Sequence, residues 1–469
     1  MIHLTYADVL LKPKRTPLKS RSEAKTNTKV TKNIALNLPL IASNMASVTE
    51  HKMAIAMARA GGLGIIHQFL PIEEQAHEVT RVKRSTSTII ENPTSITPEI
   101  AIKEALDIMA YENVTSLLVN NKETQKLEGI FTSRDYLFEE DYTKKISEVM
   151  TTNVITAPHD IEINEAKKIL HKHRIEKLPL VKDNVVVGLM TTQDIKKLEQ
   201  WPHAARDTKG RLLVGAAVGV KDAIERSKAL EKAGADLIVL DIAHAHSDYF
   251  IETLKQLKKE INIDILAGNI ATAEAAHDLI EAGADGLKVG VGPSPVCTTR
   301  IVAGAGVPQI SAIKEIYTVA KEHGVPICAD GGITFPGDVV KAIVAGADTI
   351  MSGSIFAGTD EAPQPIIIKD GKRFKKYFGS ASFESSVYRK QVLEKVRVKE
   401  TLSTFVEGES KLVPYKGPVS HILDAFKRGI QSGISYAGAI DLATLKTNGE
   451  LIRISNSSWK ESLDREVNH

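Results

Sequence analysis

Apolar residues in the central and C-terminal parts of the chain fall into short unbroken runs rather than alternating ones. LLVGAAVG, LIVLDIA, IDILAGNI, GLKVGVG, VPICADGGI and TIMSGSI each have the length and composition of a strand buried on both faces. Between them lie helix-like stretches such as AIERSKALEKAGAD and AEAAHDLIEAGAD. Three such stretches end in Ala-Gly-Ala-Asp, at 233–236, 282–285 and 345–348. Small residues there allow a tight turn out of the helix before the next apolar run. Repetition of this strand–helix unit predicts an α/β fold with a parallel sheet, open or closed into a barrel.

Segment 91–200 breaks the pattern and repeats itself. NPTSITP followed by EGIFTSRD is echoed by TTNVITAP followed by VGLMTTQD, with Pro98 and Pro158, and Asp135 and Asp194, about 60 residues apart. Such a duplication predicts two like units that stack on each other. The repeats resemble a tandem pair of CBS modules, which implies an adenine or guanine nucleotide effector; a purely structural pair fits the same signature. The expected division is 1–90 as the first part of a catalytic domain, 91–200 as an inserted regulatory module, and 201–469 as the remainder. Within the remainder, 371–414 is rich in Lys, Arg, Glu and Ser. It reads as an active-site flap or as an insertion without fixed structure.

Composition narrows the class. The chain carries 60 basic and 58 acidic residues, a balance with no general pull toward nucleic acid or a membrane surface. No apolar run approaches the roughly 18 residues of a membrane span. Two cysteines, Cys297 and Cys328, are too few for a disulfide framework and suit a reducing compartment. The N-terminal MIHLTYADVLLKPKRTP has no apolar core like that of a signal peptide. A cytoplasmic protein is the expectation.

The sharpest chemical signal is Lys288-Val-Gly-Val-Gly-Pro-Ser-Pro-Val-Cys-Thr-Thr-Arg300. A strand ends in Gly290 and Gly292, which let a ligand approach the backbone, and then presents Cys297 flanked by hydroxyls. A thiolate there is nucleophilic enough to attack an electron-poor ring carbon. Cys328, inside an apolar strand, fits an inert core thiol. Ala329-Asp330-Gly331-Gly332 and Met351-Ser352-Gly353-Ser354 each follow a strand with small residues whose N–H groups can cradle phosphate oxygens, while Asp330 can bind ribose hydroxyls.

These segments resemble the IMP dehydrogenase/GMP reductase family. The likeness rests on GVGPSPVCTTRIVAGAGVPQ, ADGGITFPGDVVKAIVAGAD, SGSIFAGTDEAP and the N-terminal LTYADVLLKP with NMASVTEHKMAIAMARAGGLGIIH, and spans almost the whole chain. It implies a (β/α)8 TIM barrel carrying the tandem CBS module, assembled as a homotetramer or octamer. Cys297 would bond to purine C2 with Thr299 beside the adduct. Ser43 and Met45 would line the purine site. Asp330 would hold the ribose, and Gly331, Gly332, Gly353, Ser354 and Tyr377 the phosphate. Asp241, Asn269, Gly290 and Gly292 would contact a nicotinamide nucleotide. Carbonyls of Gly292, Ser294 and Cys297 would face a potassium ion.

Within the family, dehydrogenases oxidise IMP with NAD and then hydrolyse the adduct, using an Arg-Tyr pair in the flap to activate water. Reductases convert GMP to IMP and ammonia with NADPH. The flap sequence VYRKQVLEKVRVKE has Leu393-Glu394 where that pair belongs, and Tyr388-Arg389 has the reverse order. Glu384 falls near the acid that reductases use with the hydroxyl after the Cys to protonate departing ammonia. Asn44, in SNM, also resembles reductases. The expectation is therefore an NADPH-dependent GMP reductase, with an NAD-dependent IMP dehydrogenase as the alternative. Flap length, the TTRIVAGAGVPQ tract and IRISNSSWKES look dehydrogenase-like. One departure touches both: the family's usual Gly-Ser before the Val-Cys is here Ser294-Pro295, and proline offers phosphate neither an N–H nor a hydroxyl.

Overall fold

The computed structural model describes residues 2–85, 90–91, 93–112, 114–380, 382 and 408–463. The chain divides into two compact units. One comprises Met1–Ser85, His203–Asp207 and Leu212–His469; the other comprises Thr86–Pro202 and Thr208–Arg211.

The larger unit is a closed barrel of eight parallel strands. They are β1 (Leu40–Ala42), β2 (Leu63–Ile66), β3 (Gly215–Val218), β4 (Leu237–Asp241), β5 (Asp264–Ile270), β6 (Gly286–Val289), β7 (Ile327–Asp330) and β8 (Thr349–Ser352). The six apolar runs of the sequence are β3 to β8. Closure is made by β1 and β2, with Met351 opposite Ile41 and Ile65 opposite Gly215. Ile41, Ile65, Val239, Leu266, Cys328 and Met351 belong to one buried cluster at the centre. Burying an aliphatic side chain of this size contributes about 1.5–3 kcal/mol, so the filled interior is a core and chemistry is left to the strand ends.

The Ala-Gly-Ala-Asp repeat has a specific structural role. Its glycines 234, 283 and 346 take positive φ of 96°, 98° and 130°, which reverses the chain out of each helix. The aspartate then forms a two-way bond with the preceding barrel strand. Asp236 N–H donates to Val214 O at 2.9 Å and its carboxylate accepts from Val214 N–H at 2.8 Å. Asp285 does the same with Ile265 (3.0 and 2.8 Å), and Asp348 with Ile327 (2.8 and 2.9 Å). Each of these carboxylates also holds a lysine: Lys83, Lys258 and Lys446 respectively. The repeat therefore fixes the staggering of neighbouring strands at the N-terminal end of the barrel.

After β8, the polar excursion expected as a flap begins as an antiparallel sheet of β9 (Ile366–Lys369), β10 (Lys372–Phe378) and β11 (Ser410–Pro414). β10 carries four basic residues, Lys372, Arg373, Lys375 and Lys376, and β9 and β11 carry one lysine each; much of the sheet faces water, which hid it among loop-like sequence. Tyr377 and Phe378 at the end of β10 are nevertheless buried. Glu384, Tyr388-Arg389 and Leu393-Glu394 lie outside the described residues.

The smaller unit contains two similar halves, each strand–helix–strand–strand–helix. The first has strands Ser95–Ile96, Ser116–Asn120 and Leu127–Thr132 with helix Ile102–Glu112, and the second has Ala157–Pro158, Lys177–Lys182 and Val185–Thr191 with helix Ile163–His173. Each half has its own apolar cluster, one around Phe131 and Leu117, the other around Leu178 and Met190. Among the described residues no helix is long and apolar enough to cross a membrane.

Candidate active site

At the C-terminal end of the barrel, the side chains of four neighbouring strands converge on one buried cation. Lys288, in the middle of β6, is only 4% exposed. Its Nζ lies 2.9 Å from Asp241 Oδ1 at the end of β4, 2.6 Å from Asn269 Oδ1 on β5 and 2.5 Å from Asp330 Oδ2 at the end of β7. Burial alone would lower the ammonium's pKa, but Asp241 and Asp330 outweigh it and hold the group above its ordinary value. Lys288 is thus a fixed positive charge shared by two carboxylates.

Amides complete the network. Asn269 Nδ2 donates to Gly290 O at 2.7 Å and to Asp330 Oδ2 at 2.9 Å, and Asn44 Nδ2 donates to Asp241 Oδ2 at 2.8 Å. Gln309 Nε2 donates to Val289 O at 2.7 Å and Asp330 O at 3.2 Å, tying the ends of β6 and β7 together. Asp241, Asn269 and Asp330 were singled out from the sequence; Lys288 and Gln309 were not. The available signal was a lysine inside an otherwise apolar strand, which is rare without a buried partner.

Cys297 stands on the loop after β6, half-buried, with Sγ 3.2 Å from Thr299 Oγ1. Its N–H donates to Ser294 O at 3.1 Å. The chain returning toward β11 lies alongside, pairing Gly408 with Cys297 and donating Glu409 N–H to Val296 O at 3.0 Å. Cys328 differs in every respect: it is fully buried in the barrel core, and burial pushes its thiol up to about 12.

A cavity of about 590 Å³ joins these groups. It is lined by Ser43, Met45, Asp241, Asn269, Gly290, Gly292, Ser294, Cys297, Thr299, Asp330, Gly331, Gly332, Gly353, Ser354 and Tyr377, which are all the sequence-predicted residues except Glu384. It also continues past Gln68, Gly219 and Lys221. The volume lies within the range of about 300–1,000 Å³ usual for small-molecule sites.

One end is shaped by close approach. A Cβ on Gly353 would stand 2.7 Å from Met45 Sδ and 2.8 Å from the Tyr377 hydroxyl, so a larger residue would displace one of these side chains. Burial raises the Tyr377 pKa, which keeps the phenol a neutral hydrogen-bond donor. Two contacts border the carbonyls expected to face potassium. Ser294 O already accepts from Cys297 N–H, and the cationic Arg300 side chain runs against Gly292 while donating to Val307 O at 2.9 Å.

Comparison with known proteins places this geometry. The profile described as "IMP dehydrogenase / GMP reductase domain" matches residues 3–464. The chain is 47% identical to inosine-5'-monophosphate dehydrogenase of Nitrosopumilus maritimus, over 99% of this chain and 98% of that protein. It is 45% identical to the enzyme of that name from Bacillus subtilis, over 99% and 96%. A crystal structure of Trypanosoma brucei GMP reductase in complex with guanosine 5'-monophosphate superposes with a TM-score of 0.89 at 42% identity, covering 98% of this chain and 97% of that one. A match of this extent, on a barrel whose strand ends carry the cavity just described, means that the chain belongs to the IMP dehydrogenase/GMP reductase family.

Proposed function

We propose that the chain is a purine-nucleotide oxidoreductase acting as a GMP reductase: GMP, NADPH and two protons become IMP, ammonium and NADP⁺. The observation that carries the choice is in the flap sequence. No Arg-Tyr dipeptide occurs in residues 371–414, so the water-activating pair that a dehydrogenase needs to hydrolyse its adduct has no counterpart. A reductase has no adduct to hydrolyse.

Cys297 Sγ bonds to C2 of the guanine ring, and the 2-amino group leaves as ammonia once protonated. Thr299, 3.2 Å from the sulfur, is placed to donate or relay that proton. When bound, the reduced nicotinamide supplies the hydride that reaches C2. The C–S bond then breaks, the electron pair returns to sulfur, and IMP is released. Asp330 binds the ribose hydroxyls, and Gly331, Gly332, Gly353, Ser354 and Tyr377 take the phosphate. Asp241, Asn269, Gly290 and Gly292 orient the nicotinamide ring, and the cavity beyond Asp241 toward Gly219 and Lys221 leaves room for the rest of the cofactor. Ser43 and Met45 pack against the purine.

The name borne by relatives at 45–47% identity favours a second reading, an IMP dehydrogenase forming XMP with NAD. One assay decides: GMP with NADPH against IMP with NAD, followed at the nicotinamide absorbance. Turnover of the first pair well above the second supports the reductase, and the opposite result overturns it. For the two-fold repeated unit the reading is a CBS pair that binds a purine nucleotide effector. A Trypanosoma brucei GMP reductase solved in complex with guanosine 5'-triphosphate, 40% identical at a TM-score of 0.79, supports looking first at guanine nucleotides.

A further inference from the structure

Where the family resemblance implies Gly-Ser this chain has Ser294-Pro295, so the hydroxyl expected at position 295 is absent. The surrounding geometry points to its replacement by the residue before it. Pro295 has no N–H, and its carbonyl is occupied by Lys411 Nζ at 2.9 Å. Val296 O is occupied by Glu409 N–H at 3.0 Å. These two bonds pin the outer side of the turn to the start of β11, while Ser294 lines the cavity. Its Oγ accepts from Val296 N–H at 3.5 Å and is a neighbour of Tyr377, whose hydroxyl donates to Met45 Sδ at 3.8 Å and is 2.8 Å from where a Gly353 Cβ would stand.

The backbone around that point is rich in unused donors. The N–H groups of Ser294, Gly332, Gly353 and Ser354 have no protein acceptor among the described residues. They come from three loops that follow β6, β7 and β8, and all four residues line the same cavity. Unpaired N–H groups gathered at a cavity wall form an anion site, because each lacks an acceptor until one arrives. The phenol of Tyr377 and the hydroxyl of Ser294 are the side-chain donors available beside them.

We propose that Ser294 Oγ is a direct ligand of the substrate 5'-phosphate, so that this chain keeps a hydroxyl on the anion after shifting it by one residue. This rests on the reading of the ligand as a purine 5'-monophosphate. The exchange preserves the donor while proline stiffens the approach to Cys297, since a fixed φ at 295 limits how the nucleophile's loop can move.

The test is calorimetric titration of the full-length protein with GMP and with guanosine, which lacks the phosphate. A hydrogen bond to a charged acceptor is worth enough that Ser294→Ala should weaken GMP binding about tenfold or more. Guanosine affinity should be unchanged, and Ser294→Thr, which keeps the hydroxyl, should remain near wild type. The paired exchange Ser294→Gly with Pro295→Ser should restore most of the affinity lost in Ser294→Ala. Equal GMP affinity in Ser294→Ala and wild type would overturn the assignment, as would parallel loss of GMP and guanosine, which marks a structural role. If wild type binds guanosine as tightly as GMP, the phosphate end of the proposed site itself is wrong.

Discussion

Two lysines at opposite ends of the barrel make the same bonds for different ends. Lys83, at the N-terminal end of the strands, is 4% exposed and bridges Asp207 at 3.0 Å and Asp236 at 2.6 Å. Lys288, at the C-terminal end, is equally buried and bridges Asp241 at 2.9 Å and Asp330 at 2.5 Å. At the base, burial holds the Asp236 carboxyl above its ordinary value even with Lys83 beside it, and its oxygens are spent on Val214 N–H and the ammonium. At the mouth, Asp241 and Asp330 line an open cavity. The ion-pair chemistry is shared, and what separates the two ends is that Asp241 and Asp330 line the cavity whereas Asp236 does not. A barrel that places chemistry at one end of its strands can spend the other on staggering them.

The largest effect expected at the mouth comes from Cys297→Ala. Loss of the nucleophile should lower turnover by at least about a thousandfold. GMP affinity, measured by titration, should change little, because the proposed ribose and phosphate contacts remain. Retained turnover would mean that the reaction does not pass through a bond to this sulfur.

Alkylation contrasts the mouth with the core directly. With its thiol pushed up to about 12 by burial, Cys328 remains protonated through the neutral range. Iodoacetamide should therefore modify native protein once, at Cys297, with GMP protecting it; denaturation should expose the second site. Mass spectrometry reads both. Labelling of Cys328 in folded protein would mean that the barrel interior opens on the assay timescale.

Lys288→Met tests the shared cation. It leaves two carboxylates facing each other without the charge between them, so Asp241 and Asp330 should move apart. We expect kcat/KM to fall about a hundredfold, with KM rising for both GMP and NADPH, since one ammonium positions a residue of each proposed binding site. Lys288→Arg keeps the charge and should recover part of the loss. A rise in KM for one ligand alone would show that the two carboxylates are set independently.

Much of this contrast was legible beforehand, for physical reasons that differ by residue. β3 to β8 were visible because strands buried on both faces are unbroken apolar runs. Cys297 was visible because glycine, proline and hydroxyls around a thiol exclude an apolar niche. The Ala-Gly-Ala-Asp repeat was seen as a turn, but the carboxylate's bond to a neighbouring strand depends on lateral register, which no local pattern records. Lys288 was in plain view inside GLKVGVG and went unassigned because its partners are 19 to 47 positions away. The sheet of β9 to β11 was missed for the opposite reason: much of it faces water, so its composition matches a loop's.

The base offers the finest test, because the same aspartate–lysine bond occurs there three times at different depths. The lysine side chain is 4% exposed in Lys83, 14% in Lys446 and 31% in Lys258. Solvent screens a pair progressively as it emerges, so methionine substitution should cost least at Lys258. Removing one partner of a buried pair costs about 3–5 kcal/mol, whereas exposed pairs are worth about 0–1 kcal/mol. Urea unfolding should therefore rank Lys83→Met as most destabilising, Lys446→Met next and Lys258→Met smallest, with kcat of the folded protein unchanged in all three. Equal losses would mean that the aspartates' bonds to the strand N–H groups, which all three variants keep, set stability and the lysines merely accompany them. A loss of kcat in Lys83→Met at a temperature where it is folded would break the division itself, by showing that strand stagger at the base is felt at the mouth.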